Sequence, residues 1–214
     1  MEISHYLFDF DGTLVDSMPT YVTAIMRILD ENKVAYGSDL TKTITPLGVE
    51  GTANYFINNL GLNIPKDKLI LTIKEYLLDA YLYTIPAKAN VESVLKALKN
   101  RGVSLNVLTA SSHSTLDPCL KRLGLWEYFD NVWSCDDFET TKTDPEIYLR
   151  AAQKMHTCVE NVLFLDDNLN ANVTAKTAGM YVCGVYDDSS KEYTEQIKCA
   201  TDYYIYDFKE LLNL

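Results

Sequence analysis

The sequence is poor in positive charge. Its 214 residues include 19 lysines and arginines against 30 aspartates and glutamates, so the formal net charge at pH 7 is −11. Proteins that bind nucleic acids or anionic membranes gain most of their affinity from clustered Lys and Arg. We therefore expect neither a nucleic acid nor a membrane as a partner. A small phosphorylated metabolite fits better, because a divalent cation and a few local positive groups can offset the repulsion at a single site.

Paired cysteines and long apolar runs are also missing from the sequence. The five cysteines are scattered without a CxxC pair, so the sequence indicates neither a disulfide framework nor a zinc knuckle. No apolar stretch approaches the roughly 18 residues of a transmembrane helix, and no positively charged leader precedes the first apolar run. We expect a cytoplasmic protein that is a monomer or a small homo-oligomer.

What the sequence does contain is an alternation of short apolar runs and helical stretches. Apolar runs between polar turns predict buried parallel strands, at residues 6–8, 103–108, 132–133, 162–165, 181–185 and 203–205. Apolar spacings of three and four predict helices between them, at residues 90–100, 145–155 and 168–178. This alternation indicates an α/β fold with a doubly wound, Rossmann-like parallel sheet.

One interval breaks the alternation. Roughly ninety residues separate the first two apolar runs, which is several times the length that a single crossover helix needs. Apolar residues recur within it at helical spacing, so the interval predicts several amphipathic helices. We expect residues 1–16 and 86–214 to form the Rossmann-like core, and residues 17–85 to form an inserted helical cap domain over the strand ends.

Reactive side chains follow the predicted strands at the point where each strand ends. They are Asp9 and Asp11 after the first run, Thr109 after the second, Lys142 in the loop after the third, and Asp166 with Asp167 after the fourth. Ligands of open parallel sheets bind beyond the carboxyl ends of the strands, so we expect these side chains to converge. The set combines a carboxylate nucleophile, a second carboxyl group, carboxylate ligands for a hard cation, and groups that bind phosphate oxygens. It predicts a magnesium-dependent phosphohydrolase.

Four segments resemble the motifs of the haloacid dehalogenase superfamily, in the order that the family shows. They are DFDGTLV at residues 9–15, LTAS at 108–111, KTDPEIY at 142–148, and FLDDN at 164–168 with the trailing AGM at 178–180. The likeness spans nearly the whole chain. The insert after the first segment is similar to the helical cap of the phosphoglycolate phosphatase and β-phosphoglucomutase group.

The resemblance implies two catalytic residues. Asp9 would attack phosphorus and become an aspartyl phosphate, which water later hydrolyses. Asp11 would protonate the leaving oxygen and then deprotonate that water. Members of the superfamily that cleave carbon–halogen bonds lack a carboxylate at this second position. The resemblance therefore favours phosphate chemistry.

The resemblance also implies the binding residues. Thr109, Ala110 and Lys142 would bind the transferring phosphoryl group, and the lysine would also balance the charge of the nucleophile. The cofactor would be Mg²⁺. Its ligands would be Asp9, Asp167 and the backbone carbonyl of Asp11, with Asp166 as an additional ligand or as an acceptor behind the ligands.

Two positions depart from the family pattern. The third segment has Thr143 where a proline usually follows the lysine, which alters the stiffness of the loop rather than its chemistry. The fourth segment has Ala171 where relatives often place Asp or Asn, with Asn170 and Asn172 on either side. The hydrogen bonds that support the metal ligands therefore cannot be assigned from the pattern alone.

Three other functions remain open at this point. A sugar phosphomutase of the β-phosphoglucomutase type has the same fold, but it needs extra positive charge in the cap, where residues 47–52 offer Glu50. A signalling receiver domain also surrounds a phosphorylated aspartate with acids, Thr and Lys, but it is shorter and has no insert. A phosphate-binding protein without catalysis is disfavoured, because all four segments keep their reactive residues. The side chains that select the natural substrate cannot be located in one sequence.

Overall fold

The computed structural model describes residues 3–37, 39–44 and 47–214, without the Lys42 side chain. Six strands form one parallel sheet in this part of the chain. The strands are β1 His5–Phe8, β2 Ser104–Thr109, β3 Asn131–Ser134, β4 Val162–Asp166, β5 Tyr181–Val185 and β6 Tyr203–Ile205. Their order in the sheet is β3-β2-β1-β4-β5-β6. The predicted α/β class with a parallel Rossmann-like sheet is confirmed.

Helices follow the strands in alternation. Within the described residues they are α1 Met18–Glu31, α2 Leu40–Ile44, α3 Gly48–Asn58, α4 Lys66–Tyr83, α5 Val91–Asn100, α6 His113–Arg122, α7 Glu146–Lys154, α8 Leu169–Thr177 and α9 Thr194–Ala200. None of these helices is long and apolar enough to cross a membrane.

Both faces of the sheet are buried. Successive side chains of a strand point to opposite faces, and β1 shows this alternation. Leu7 belongs to an apolar cluster with Ile147 of α7 and Ala175 of α8. The ring of Phe8 stacks instead on Phe208, with centroids 6.1 Å apart. Burial on both sides explains why strands such as β1 and β4 are almost continuously apolar.

The register of the sheet brings the strand ends level. Phe8 of β1 pairs with Val107 of β2 on one side and with Leu165 of β4 on the other. The N–H of Asp9 donates to the Leu165 carbonyl at 2.8 Å. Asp9 and Asp166 therefore come directly after the paired residues Phe8 and Leu165 of two neighbouring strands. They lie at the same edge of the sheet, where parallel sheets bind their ligands.

The chain divides into two compact units. One unit joins the residues up to Asp16 with Pro86–Leu214 and contains the sheet, and the other is Ser17–Ile85. The second unit contains α1 to α4 and has an apolar core of its own, in which Ile25 and Phe56 are fully buried. The role of Ser17–Ile85 as a cap over the strand ends stays a prediction.

Two segments of the larger unit run side by side. One ends at Asp16, where the chain leaves this unit, and the other begins at Pro86, where the chain returns to it. Val15 and Ala87 form an antiparallel bridge. The N–H of Asp16 donates to the Pro86 carbonyl at 3.0 Å. The next residue of the returning segment is Lys88, which this pairing holds beside the turn that follows β1.

The Lys88 side chain joins that turn to the end of β5. Its ammonium donates to the Gly12 carbonyl and, at 2.7 Å, to the Tyr186 carbonyl. It also lies 2.8 Å from a carboxylate oxygen of Asp187, in a pair whose side chains are only 16% and 5% exposed. Burial raises the pKa of Asp187, but the hydrogen bonds from Lys88 and Ser189 outweigh it and lower this pKa below its usual value. The pair is therefore a buried contact between charged groups.

We expect Lys88→Met to lower the free energy of unfolding by about 3 kcal/mol, because it leaves the buried Asp187 carboxylate without its charged partner. Lys99→Met is the matched control, since the side chains of the Lys99–Asp130 pair are 37% and 42% exposed. Exposed pairs contribute about 0–1 kcal/mol. Urea unfolding followed by circular dichroism measures both variants, and equal losses would contradict a stabilising role of the buried pair.

Candidate active site

Three carboxylates meet at the carboxyl edge of the sheet. Asp9 follows β1, Asp166 ends β4 and Asp167 follows it. Each offers one oxygen, and these oxygens all lie within 4.8 Å of one another. Asp9 and Asp166 are 6% and 1% exposed. A donor set made only of carboxylate oxygens suits a hard cation such as Mg²⁺ better than a softer metal.

The electrostatics of the cluster point to the same kind of ligand. Burial raises the pKa of Asp9 to about 7, and although Lys142 opposes this rise, Asp166 and Asp11 add to it. Burial also raises the pKa of Asp167 well above its ordinary value, and the charges of Asp166 and Asp9 raise it further. The carboxylates thus carry more negative charge than their surroundings balance. A divalent cation fits this site, because its charge offsets both the burial and the repulsion.

Lys142 lies against the cluster, where the loop after β3 passes β1 and β4. Its ammonium donates to Asp9 Oδ1 and, at 2.8 Å, to Asp166 Oδ2. Burial lowers the pKa of Lys142, but the two carboxylates outweigh it and raise this pKa. The buried Tyr148 hydroxyl lies 3.1 Å from the backbone carbonyl oxygen of Lys142 and 3.2 Å from that of Ala171, and the two carbonyls share its one proton. Helix α7 thereby holds the lysine in place.

The turn after β1 approaches the end of β4 so closely that it requires a glycine. Gly12 has a φ of +73°, in the left-handed region that side chains disfavour. A Cβ atom at this position would lie 2.7 Å from the carboxylate carbon of Asp167. The hydroxyl of Thr13 reaches the same carboxylate, at 3.5 Å from Oδ1. The close approach places the turn that carries Asp9 and Asp11 directly beside the carboxylate cluster.

The carboxylate of Asp11 faces a different neighbour. Its Oδ2 accepts a hydrogen bond from the Ser111 hydroxyl at 2.5 Å. The N–H of Ser111 in turn donates to Thr109 Oγ1 at 3.1 Å. Thr109 is the last residue of β2, one residue further along than predicted, and is buried, whereas Ala110 is exposed. The predicted phosphate-binding loop therefore lies beside the predicted acid, while the Asp11 carbonyl as a metal ligand stays a prediction.

Asn172 supplies a supporting contact that the fourth segment left unassigned. Its side-chain amide donates to the Asp166 carbonyl at 2.9 Å, and the residue is fully buried on α8. The backbone N–H of Asn168 donates to Asp166 Oδ1 at 2.7 Å. The Asn168 side chain caps the same helix by accepting from the N–H groups of Asn170 and Ala171. The start of α8 thus fixes the orientation of Asp166.

His113 ties the start of α6 to the turn after β3. Its two ring nitrogens lie 2.7 Å from Asp117 Oδ1 and 2.8 Å from Asp137 Oδ2. Hydrogen bonds from the imidazole to Asp117 and Asp137 raise the pKa of His113 above its ordinary value. Asp137 Oδ2 also accepts from the N–H of Ser134 at the end of β3, at 2.9 Å. This contact holds the loop after β2 against the neighbouring strand.

Sequence interpretation missed the parts played by Ser111, Tyr148, Asn172 and Lys88. Ser111 and Tyr148 stand inside segments that resemble family motifs, but spacing along a chain does not reveal which side chain a hydroxyl contacts. Asn172 carried a signal, because a polar residue on the inward face of a predicted helix requires a buried partner.

Comparison with known proteins agrees with this geometry. A family model described as "Haloacid dehalogenase-like hydrolase" matches residues 6–185. "Putative phosphatase YhcW" of Bacillus subtilis is 28% identical over 184 residues, which cover 83% of this chain and 81% of that protein. "Phosphorylated carbohydrates phosphatase" of Thermotoga maritima is 25% identical over 81% of each chain. A crystal structure described as a "putative beta-phosphoglucomutase" from Thermotoga maritima has the same fold, with a TM-score of 0.86, 23% identity and coverage of 100% of this chain and 97% of that one.

We expect Gly12→Ala to abolish phosphate release from para-nitrophenyl phosphate, because the added Cβ displaces the β1 turn or the Asp167 carboxylate. Gly124→Ala is the matched control. Gly124 has a φ of +69°, close to that of Gly12, but a Cβ there meets nothing within 4 Å. Both variants should lose about 1 kcal/mol of stability from the left-handed backbone, and the control should keep its activity. Retained activity in Gly12→Ala would contradict the close approach.

Proposed function

The chain belongs to the haloacid dehalogenase-like hydrolase family, as an enzyme of the phosphatase type, and we propose that it is a Mg²⁺-dependent phosphatase of a small phosphorylated metabolite. The observation that carries the proposal is the Asp9 carboxylate, which contacts the Lys142 ammonium and has an oxygen within 4.8 Å of those of Asp166 and Asp167. A carboxylate held in this way, with positive charge beside it, can attack a phosphate ester. The phosphorylated carbohydrates named for the relative from Thermotoga maritima support a substrate of this class.

The first half of the reaction transfers the phosphoryl group to the protein. A carboxylate oxygen of Asp9 forms a bond to phosphorus as the bond from phosphorus to the leaving oxygen breaks. Asp11, in its protonated form, gives its proton to that oxygen, so the product leaves as an alcohol. An aspartyl phosphate on Asp9 and an ionised Asp11 remain.

The second half restores the protein. A water molecule attacks the phosphorus of the aspartyl phosphate while Asp11 accepts its proton. The bond from phosphorus to the Asp9 oxygen breaks, inorganic phosphate is released, and both aspartates return to their starting forms. The same carboxyl group therefore donates a proton in the first step and recovers one in the second.

Lys142 and the β2 loop would bind the phosphoryl group. An ammonium has three N–H donors, and within the described chain Lys142 directs two of them to Asp9 and Asp166. One donor is then left for a phosphate oxygen. Thr109 ends β2, and the exposed Ala110 follows it. The Thr109 hydroxyl and the Ala110 backbone N–H can therefore face the same phosphoryl group.

Asp9, Asp167 and the backbone carbonyl of Asp11 would hold the cation, with Asp166 as an additional ligand. When bound, Mg²⁺ supplies positive charge that keeps the nucleophile ionised and screens its repulsion from the phosphate. A sugar phosphomutase is the second candidate, because the chain shares its fold with the protein described as a β-phosphoglucomutase. Glu50 in the insert argues against it, since a bisphosphate intermediate calls for positive charge there. Phosphate release measured beside conversion of β-glucose 1-phosphate separates the two activities.

We expect Asp9→Asn to lower the turnover of para-nitrophenyl phosphate by about 10³-fold or more, because the amide cannot form the phosphoryl intermediate. Asp136→Asn makes the same chemical change on an exposed side chain in the turn after β3 and should stay within about twofold of the wild-type rate. Chelation of Mg²⁺ should abolish turnover, and added Mg²⁺ should restore it. Activity in Asp9→Asn equal to that of the control, or activity that resists chelation, would contradict the proposal.

A further inference from the structure

We propose that Ser111 is a positioning residue for the proton transfers of Asp11. This inference rests on the proposed function, because it concerns the step in which Asp11 protonates the leaving oxygen. The contact that carries it is the hydrogen bond from the Ser111 hydroxyl to Asp11 Oδ2, at 2.5 Å. The two residues follow neighbouring strands, so the contact joins the acid to the loop that would bind the phosphoryl group.

Ser111 is itself held in place by the strand before it. The N–H of Ser111 donates to the hydroxyl of Thr109 at 3.1 Å. Thr109 ends β2 and is 1% exposed. Two residues beyond Ser111, helix α6 begins at His113, which contacts the carboxylates of Asp117 and Asp137. The Ser111 hydroxyl therefore occupies a defined position relative to the sheet. Its hydrogen bond to Asp11 fixes the orientation of the Asp11 carboxylate in turn.

A hydroxyl group suits a partner that must gain and lose a proton. The ionised carboxylate of Asp11 accepts a hydrogen bond from the Ser111 hydroxyl, and the protonated carboxyl can donate one to the same hydroxyl oxygen, because a hydroxyl is both donor and acceptor. An ammonium or an amide N–H could only donate, and would favour the ionised form alone. The Ser111 contact can persist through both halves of the reaction, so that the acid keeps its direction while its charge changes.

The inference makes a prediction about leaving groups. Phenyl phosphate and alkyl phosphates depart as strongly basic oxyanions and need a proton from Asp11, whereas 4-nitrophenyl phosphate departs with little help. We expect Ser111→Ala to lower kcat/KM for phenyl phosphate by about 10- to 100-fold, but for 4-nitrophenyl phosphate by less than about threefold. A plot of log kcat/KM against the pKa of the leaving group should therefore be steeper for the variant than for the wild type.

Two further variants serve as controls. Ser111→Thr keeps the hydroxyl and should follow the wild-type slope. Ser112→Ala removes the neighbouring hydroxyl, which lies 2.7 Å from that of Ser114 instead, and should leave every rate within about twofold. The ratio kcat/KM is the quantity to compare, because it reports the steps up to the departure of the leaving group.

The outcomes distinguish this inference from the proposed function. An active wild type with unchanged slopes in Ser111→Ala would overturn the positioning role alone. A loss in Ser111→Ala that is equal for all leaving groups would also overturn it, since damage to folding or phosphate binding does not depend on the leaving group. A slope of log kcat/KM that is steeper in Ser111→Thr than in the wild type would also overturn the positioning role, because this variant keeps the hydroxyl. A wild type without phosphatase activity, or full activity in Asp9→Asn, would instead remove the proposed function and this inference with it.

Discussion

Burial of negative charge is the constraint on which the site depends. Asp9 and Asp166 are almost inaccessible to water, and their carboxylates share one small region with that of Asp167. Like charges in such surroundings destabilise one another unless opposite charge or hydrogen bonds compensate for them. The chain places Lys142 against two of these acids, and the charge of Lys88 also favours the ionised form of Asp167. A divalent cation would supply the remaining compensation, so the proposed binding of metal would offset the same repulsion that makes the cluster costly to form.

The sheet was predictable because its strands carry two independent signals. Strand β4 is buried along its whole length and ends in Asp166, so one short run of sequence marks both a strand and the carboxylate at its end. The register then places Asp9 beside that end without any further information. The limits of this approach appear at Thr109, which looked like a loop residue although β2 extends through it. A polar residue at a strand terminus resembles a turn until the neighbouring strand, here ending at Ser134, is known to pair with it.

The contacts that orient the reactive groups were not predictable. Tyr148, Asn172 and Ser111 act through side-chain hydrogen bonds, and nothing in their spacing shows which partners they reach. Lys88 is the clearest case, because it lies in no motif and yet contacts the turn after β1 and the end of β5. Sequence patterns report which face of an element is buried, and they do so well. They do not report how one side chain meets another across the edge of a sheet, since that depends on packing throughout the unit.

The pairing of Val15 with Ala87 has a consequence for how such a chain can change over evolutionary time. The two points at which Ser17–Ile85 joins the rest of the chain are adjacent, because backbone hydrogen bonds connect the segments on either side of it. A module with adjoining ends can be shortened, lengthened or exchanged by recombination without distorting the unit into which it is inserted, as tolerated domain insertions show. The unit that contains the sheet and the inserted module can therefore diversify at different rates.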